Sequence, residues 1–135
     1  MFTISSKGDY GLVLMITLAK NLPQAPFSLR QIAEGQNLPF RYLSQIAIRL
    51  KKAGLLRSKE GVDGGYFLAK DPAKITIGEI FGAIDGPTAP TKCLSLPGEC
   101  QAESVCPMRP IWGGLQKELT HAIEKKTLKD LLLRK

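Results

Sequence analysis

The stretch DYGLVLMITLA, residues 9–19, is apolar on nearly every face from Tyr10 to Ala19. This is the pattern of a helix buried on several sides, and it should stop before Pro23. FSLRQIAEG then reads as a second helix with its start written into the sequence. Ser28 suits an N-cap, Gln31 would close a capping box, and Phe27 is placed to staple onto Ile32, with Gly35 as the left-handed stop. In PFRYLSQIAIRLKKAG, Phe40, Leu43, Ile46, Ala47 and Leu50 share one helical face, and Pro39 and Gly54 mark its ends. The opposite face carries Arg41, Gln45, Arg49 and Lys52 at spacings of four, four and three. Two short helices joined by a tight turn, the second with a cationic outer face, form a helix-turn-helix pattern.

The period then changes. LLRSKEGVDGGYFLAK holds two strand-like runs around a glycine-rich turn that carries Glu60 and Asp63, the pattern of a β-hairpin. A hairpin placed after such a helix is a wing. TIGEIFGAI follows as a short helix, with Thr76 and Glu79 as a second capping box and DGP at 85–87 as its end. After a loop of mixed polarity from about 88 to 108, Ile111, Leu115, Leu119 and Ile123 recur every four residues beside Trp112, and TLKDLLLRK closes as a basic amphipathic helix. The expected fold is mainly α with a small β-hairpin wing. Residues 1–87 are expected to form a winged helix-turn-helix domain, 88–108 a cysteine-containing loop, and 109–135 a long apolar-striped helix plus a C-terminal helix.

Composition narrows the partner. The chain has 135 residues and a net charge of +7, enough for one compact domain with an anionic partner such as nucleic acid or an acidic membrane. Between Arg30 and Glu60 seven basic residues stand against two acidic ones, so the excess falls on the helix pair and hairpin. Cations along a groove-sized surface gain affinity for duplex DNA by releasing its counterions. Arg41, Tyr42, Ser44 and Gln45, near the start of the second helix, are candidates for base edges, with packing an equal role for Tyr42. Arg49, Lys51, Lys52, Arg57 and Lys59 suit phosphates, and Ser28 and Gly61 complete the candidate DNA surface. The apolar run from Leu12 to Ala19 is too short to span a bilayer, and no secretory signal opens the chain, so a cytoplasmic protein without a membrane partner is expected. One histidine, no phosphate-cradling glycine motif and no nucleophile-base pair leave little for an enzyme.

All three cysteines, Cys93, Cys100 and Cys106, lie in CLSLPGECQAESVC. In a reducing compartment they would remain thiols or metal thiolates. Structural zinc usually takes two close pairs, which this chain lacks, whereas thiolates at longer, open spacings suit an iron-sulfur cluster that needs a fourth ligand from elsewhere. Coincidence, a metal-free thiol redox regulator, and a zinc- or cluster-binding interaction module remain as other readings.

These segments together, with DYGLVLMITLA, YLSQIAIRLKKAGLL, GGYFLAK, ITIGEIFGAIDG and the cysteine loop as the matching motifs, resemble the Rrf2 family of bacterial transcription regulators over nearly the whole chain. The resemblance implies a symmetric homodimer in which Ile111, Trp112, Leu115, Leu119 and Ile123 lie on a helix crossing its twin, and two winged helices read a roughly palindromic duplex operator. It also implies a 2Fe-2S or 4Fe-4S cluster on Cys93, Cys100 and Cys106, whose state controls DNA affinity in response to redox change or nitric oxide. Here one extra residue precedes Cys100. A histidine that serves some members as fourth ligand is replaced by Arg109, so the resemblance points to Asp9 of the partner subunit, a position that also suits a helix N-cap. Ser44 stands where some relatives have glutamate, and Glu60 where many have arginine.

Overall fold

In the computed structural model the described residues are 4–22, 26–86 and 89–133. Helix α1, Ser6–Lys20, starts four residues before Tyr10, because Ser5 is its N-cap and accepts the Gly8 amide at 2.9 Å. Asp9 is therefore an exposed residue of the first turn, where it complements the helix dipole, and the capping role considered for it belongs to Ser5. The helix ends at Lys20, and Pro23 lies outside the described residues.

The helix pair forms as α2, Leu29–Gln36, and α3, Phe40–Lys52. Ser28 occupies the N-cap position but its side chain makes no capping bond, so the expected box with Gln31 does not form. Strand pairing fixes the entry instead: Phe27 exchanges two 2.9 Å backbone bonds with Tyr66. Nor does Gly35 stop the helix, which runs on to Asn37 at φ 54. Asparagine tolerates this left-handed geometry. The Asn37 and Leu38 amides then close a Schellman motif on the Glu34 and Ala33 carbonyls at 3.3 and 2.8 Å. The same motif ends α3, where Gly54 at φ 80 and Leu55 donate to Lys51 and Leu50. Buried Leu55 thereby leads directly into the hairpin.

Strands β1, Leu56–Lys59, and β2, Gly65–Leu68, pair antiparallel with Leu56 opposite Leu68 and Lys59 opposite Gly65. A side chain on Gly65 would meet the Phe27 carbonyl oxygen at 2.4 Å, so the Phe27–Tyr66 pairing depends on glycine there. After one 3₁₀ turn, Pro72–Lys74, helix α4 spans Ile77–Asp85. The Glu79 amide donates to Thr76 Oγ1 at 3.0 Å, while the Glu79 carboxylate faces Lys70 Nζ at 3.8 Å, so only half of the second capping box is made. Gly86 ends this helix, and Pro87 lies outside the described residues, as does the expected boundary at 87/88.

The core is one cluster in which α1 packs against α3, α4 and the last helix, with Leu14, Met15, Ile46, Leu50 and Ile80 sealed from solvent. Gly11 permits the closest approach, since a Cβ there would meet Ile84 Cδ1 at 2.1 Å. Short helix α5, Lys92–Ser95, interrupts the cysteine loop. Long helix α6, Arg109–Lys125, contributes no buried residue and packs on α4. Helix α7, Leu128–Leu132, is held by a complete capping box between Thr127 and Asp130 and by backbone bonds that join Ile75–Ile77 to Lys126–Leu128. The final Arg134 and Lys135 lie outside the described residues. Among the described residues no helix is long and apolar enough to cross a membrane.

Candidate nucleic-acid interface and cysteine loop

The surface opposite the core of α3 is polar and cationic. Arg41, Tyr42, Gln45, Arg49, Lys51 and Lys52 are exposed and Ser44 is half-buried, while Leu43, Ile46, Ala47 and Leu50 hold the helix to α1 and α4 from the other side. Arg57 and Lys59 are exposed on β1, next in the chain, and extend the cationic surface onto the wing. Gly61 at φ 110 opens the turn and accepts the Gly64 amide at 3.0 Å.

Three side-chain contacts fix the relative positions of these elements. The Arg30 guanidinium stacks over the Phe40 ring at 4.5 Å and joins α2 to α3. Lys51 Nζ donates to Ser58 Oγ at 2.6 Å and ties α3 to β1. Arg49 Nη1 donates to the Ile84 carbonyl at 2.6 Å, joining α3 to the end of α4. Sequence spacing assigns Arg49 to phosphate; its guanidinium is also an internal strut, a role that periodicity cannot show because the acceptor lies 35 residues away. Ser28 lies on the wall of an open cleft of about 720 Å³ between α2 and the wing tip, beside Arg30, Gln31 and Asp63. A further surface residue of α3, Ile48, escapes the sequence reading because it breaks the polar pattern of that face; it is 50% exposed.

A helix pair with a cationic second helix and an adjoining antiparallel hairpin is the frame seen in known regulators. Residues 4–134 match the family described as Rrf2, iron-dependent transcriptional regulator. The chain belongs to the Rrf2 family. This Rrf2 protein is 37% identical to the HTH-type transcriptional regulator CymR of Bacillus subtilis, over 95% of this chain and 88% of that one. It is 36% identical to the HTH-type transcriptional regulator IscR of Klebsiella pneumoniae, over 96% of this chain and 78% of that one. Its fold is similar to the structure of CymR, described as the global cysteine regulator of B. subtilis, with a TM-score of 0.79, 36% identity and coverage of 97% and 96%. It is a DNA-binding transcription regulator of this family, as its relatives are, and not an enzyme.

The cysteine loop of this Rrf2 regulator is held by polar contacts. Glu103, between Cys100 and Cys106, accepts the Gly98 amide at 2.6 Å and forms an ion pair with Arg109. Cys93 and Cys106 are half-buried and Cys100 is exposed, all as free thiols, with Cys93 Sγ 2.9 Å from Thr91 Oγ1. Three thiols are the soft donors an iron-sulfur cluster takes, so the set fits such a group in kind. Among the described residues no three His, Cys, Asp or Glu side chains converge, so the single chain does not gather these donors into a metal site, and Asp9 does not join them.

Helix α4, which precedes the loop in the chain, is fixed at its end. Ser5 Oγ donates to Asp85 Oδ2 at 2.6 Å, one residue beyond the carbonyl that Arg49 holds. The end of α4 is thus bonded to the start of α1 and to α3. On α6, Ile111 is 57% exposed and Trp112, Leu115 and Leu119 are half-buried, none of them packed against the core. Ile123 rests against the core of its own chain, so the apolar stripe outside the core narrows to the other four.

Proposed function

We propose that this regulator binds operator DNA as a homodimer and that an iron-sulfur cluster on Cys93, Cys100 and Cys106 controls its affinity. The observation that carries the reading is the confinement of every cysteine to residues 93–106, in the segment that follows α4, a helix bonded at its end to α3. When bound, the cluster supplies a redox- and nitric-oxide-reactive centre. Residues 1–87 act as the DNA-binding domain, 88–108 as the cluster loop and 109–135 as the dimer-forming part. Asp9 of the partner subunit serves as fourth ligand, so loading would link the two chains. The apolar stripe Ile111, Trp112, Leu115 and Leu119, which lies outside the core and keeps exposed area, supports a second copy along α6.

On the DNA side, Arg41, Tyr42, Ser44 and Gln45 read bases, Ser28 and Gly61 approach the backbone, and Arg49, Lys51, Lys52, Arg57 and Lys59 neutralise phosphates. The test is anaerobic purification followed by iron, sulfide and zinc analysis and a footprint on genomic fragments. Coloured protein with iron, sulfide and an operator-length footprint is expected. Stoichiometric zinc without sulfide would contradict the cluster.

A second reading, a metal-free thiol redox regulator, has its own support. Cys100 is exposed, no three metal-ligating groups gather among the described residues, and the CymR relative is a cysteine regulator. It predicts neither iron nor sulfide, and a DNA affinity that follows thiol oxidation alone.

A further inference from the structure

Ile48 occupies a position that helix packing does not explain. At 100° per residue, Arg41, Gln45, Ile48 and Lys52 fall within an arc of roughly 60°, and the centre of that arc is opposite the buried Leu43, Ile46 and Leu50. An isoleucine half in water at this point gains nothing from the core. As a β-branched residue it is also a poorer exposed helix former than lysine, glutamine or alanine. Its neighbours three and four positions away are Ser44, Gln45, Lys51 and Lys52, all polar or cationic, and Arg41 lies on the same face two turns earlier. The surface offered is an apolar knob flanked by polar and cationic side chains, complementary to an apolar group set between phosphates. In the major groove the apolar group on a base edge is the thymine C5-methyl.

We propose that Ile48 is a specificity-determining residue that contacts a thymine methyl in each half-site. This rests on the reading of α3 as the helix that enters the major groove. The contact is van der Waals in kind, and its selectivity lies in burying a methyl that cytosine and purines do not present at that place.

The test uses the full chain and a duplex selected by it from a randomised library. Each thymine is replaced singly by deoxyuridine, which removes only the methyl, and affinity is read by fluorescence anisotropy at fixed salt. At one symmetry-related position, uracil should weaken wild-type binding about fourfold, the worth of one buried methyl. Ile48→Ala should bind the thymine duplex several-fold more weakly and lose the thymine-uracil difference. Ile48→Val should retain most of that difference, and neither variant should change the melting curve. The proposal is overturned if Ile48→Ala keeps the wild-type thymine-uracil ratio, or if it alters self-association while leaving DNA binding unchanged. Failure of wild-type protein to select any sequence would instead remove the underlying reading of α3, and this inference with it.

Discussion

From Phe27 to Leu68 the chain is held by burial. Leu43, Ile46, Ala47 and Leu50 fix α3, while Leu55, Leu56 and Leu68 fix the hairpin behind it. Residues 89–125 follow the opposite pattern: no residue of that segment is fully buried, and the cysteine loop relies on the Gly98–Glu103–Arg109 contacts. A surface that must present cations in fixed register to a duplex is complete within one chain. The segment proposed to gather ligands and meet a second chain is left open on one side, and polar contacts near the surface hold its conformation.

The sharpest way to break this contrast is to truncate one apolar side chain in each region. Leu50→Ala should cost about 2–5 kcal/mol in urea unfolding, because its site is sealed and a cavity remains. Leu115→Ala should leave unfolding of the isolated subunit within about 0.5 kcal/mol, yet weaken self-association measured by sedimentation. Equal losses of subunit stability at both positions would contradict the division.

A smaller effect separates two cations of α3. Arg49→Ala removes the bond to the Ile84 carbonyl and should cost about 1.5–3 kcal/mol, as for a hydrogen bond with a charged partner. Lys52→Ala should leave stability nearly unchanged and lower the salt slope of DNA binding by about one. Thermal melts with salt titrations of binding check both.

Much of this was legible in the sequence, because the helix pair, wing and α6 each bury or expose residues at a regular period. What it missed comes from contacts distant along the chain. Arg49 finds an acceptor on α4, and strand pairing with Tyr66 takes over the start of α2, so Ser28 needs no capping bond. Gly35 looked like the stop for α2, but Asn37 can adopt the left-handed turn two residues later and lets Leu38 reach its carbonyl. In the site, the thiols are easily picked out by composition. Their lack of convergence depends on where the loop folds, which spacing does not encode.

The smallest expected effect is at the chain's last turn. Hydrogen bonds from the Thr127 amide and hydroxyl, with smaller help from Lys126 and Lys129, hold the Asp130 carboxyl below the ordinary aspartate value. A lowered folded-state value means that the cap stabilises α7 above the ordinary carboxylate range and is lost as pH falls through the lowered value. The protection of the α7 amides relative to their intrinsic exchange rates should therefore fall only in acid. Asp130→Asn should exchange faster at neutral pH and lose this acid dependence.

Operator affinity of anaerobically prepared wild-type protein against Cys106→Ser at fixed salt tests most directly whether the cysteine loop controls the DNA-binding half. The prediction is iron and sulfide in the wild type, a change in its operator affinity of about tenfold on cluster loss, equivalent to about 1.4 kcal/mol of bias between two states, and no such change in the variant. Wild-type affinity that is the same with and without iron and sulfide would contradict it.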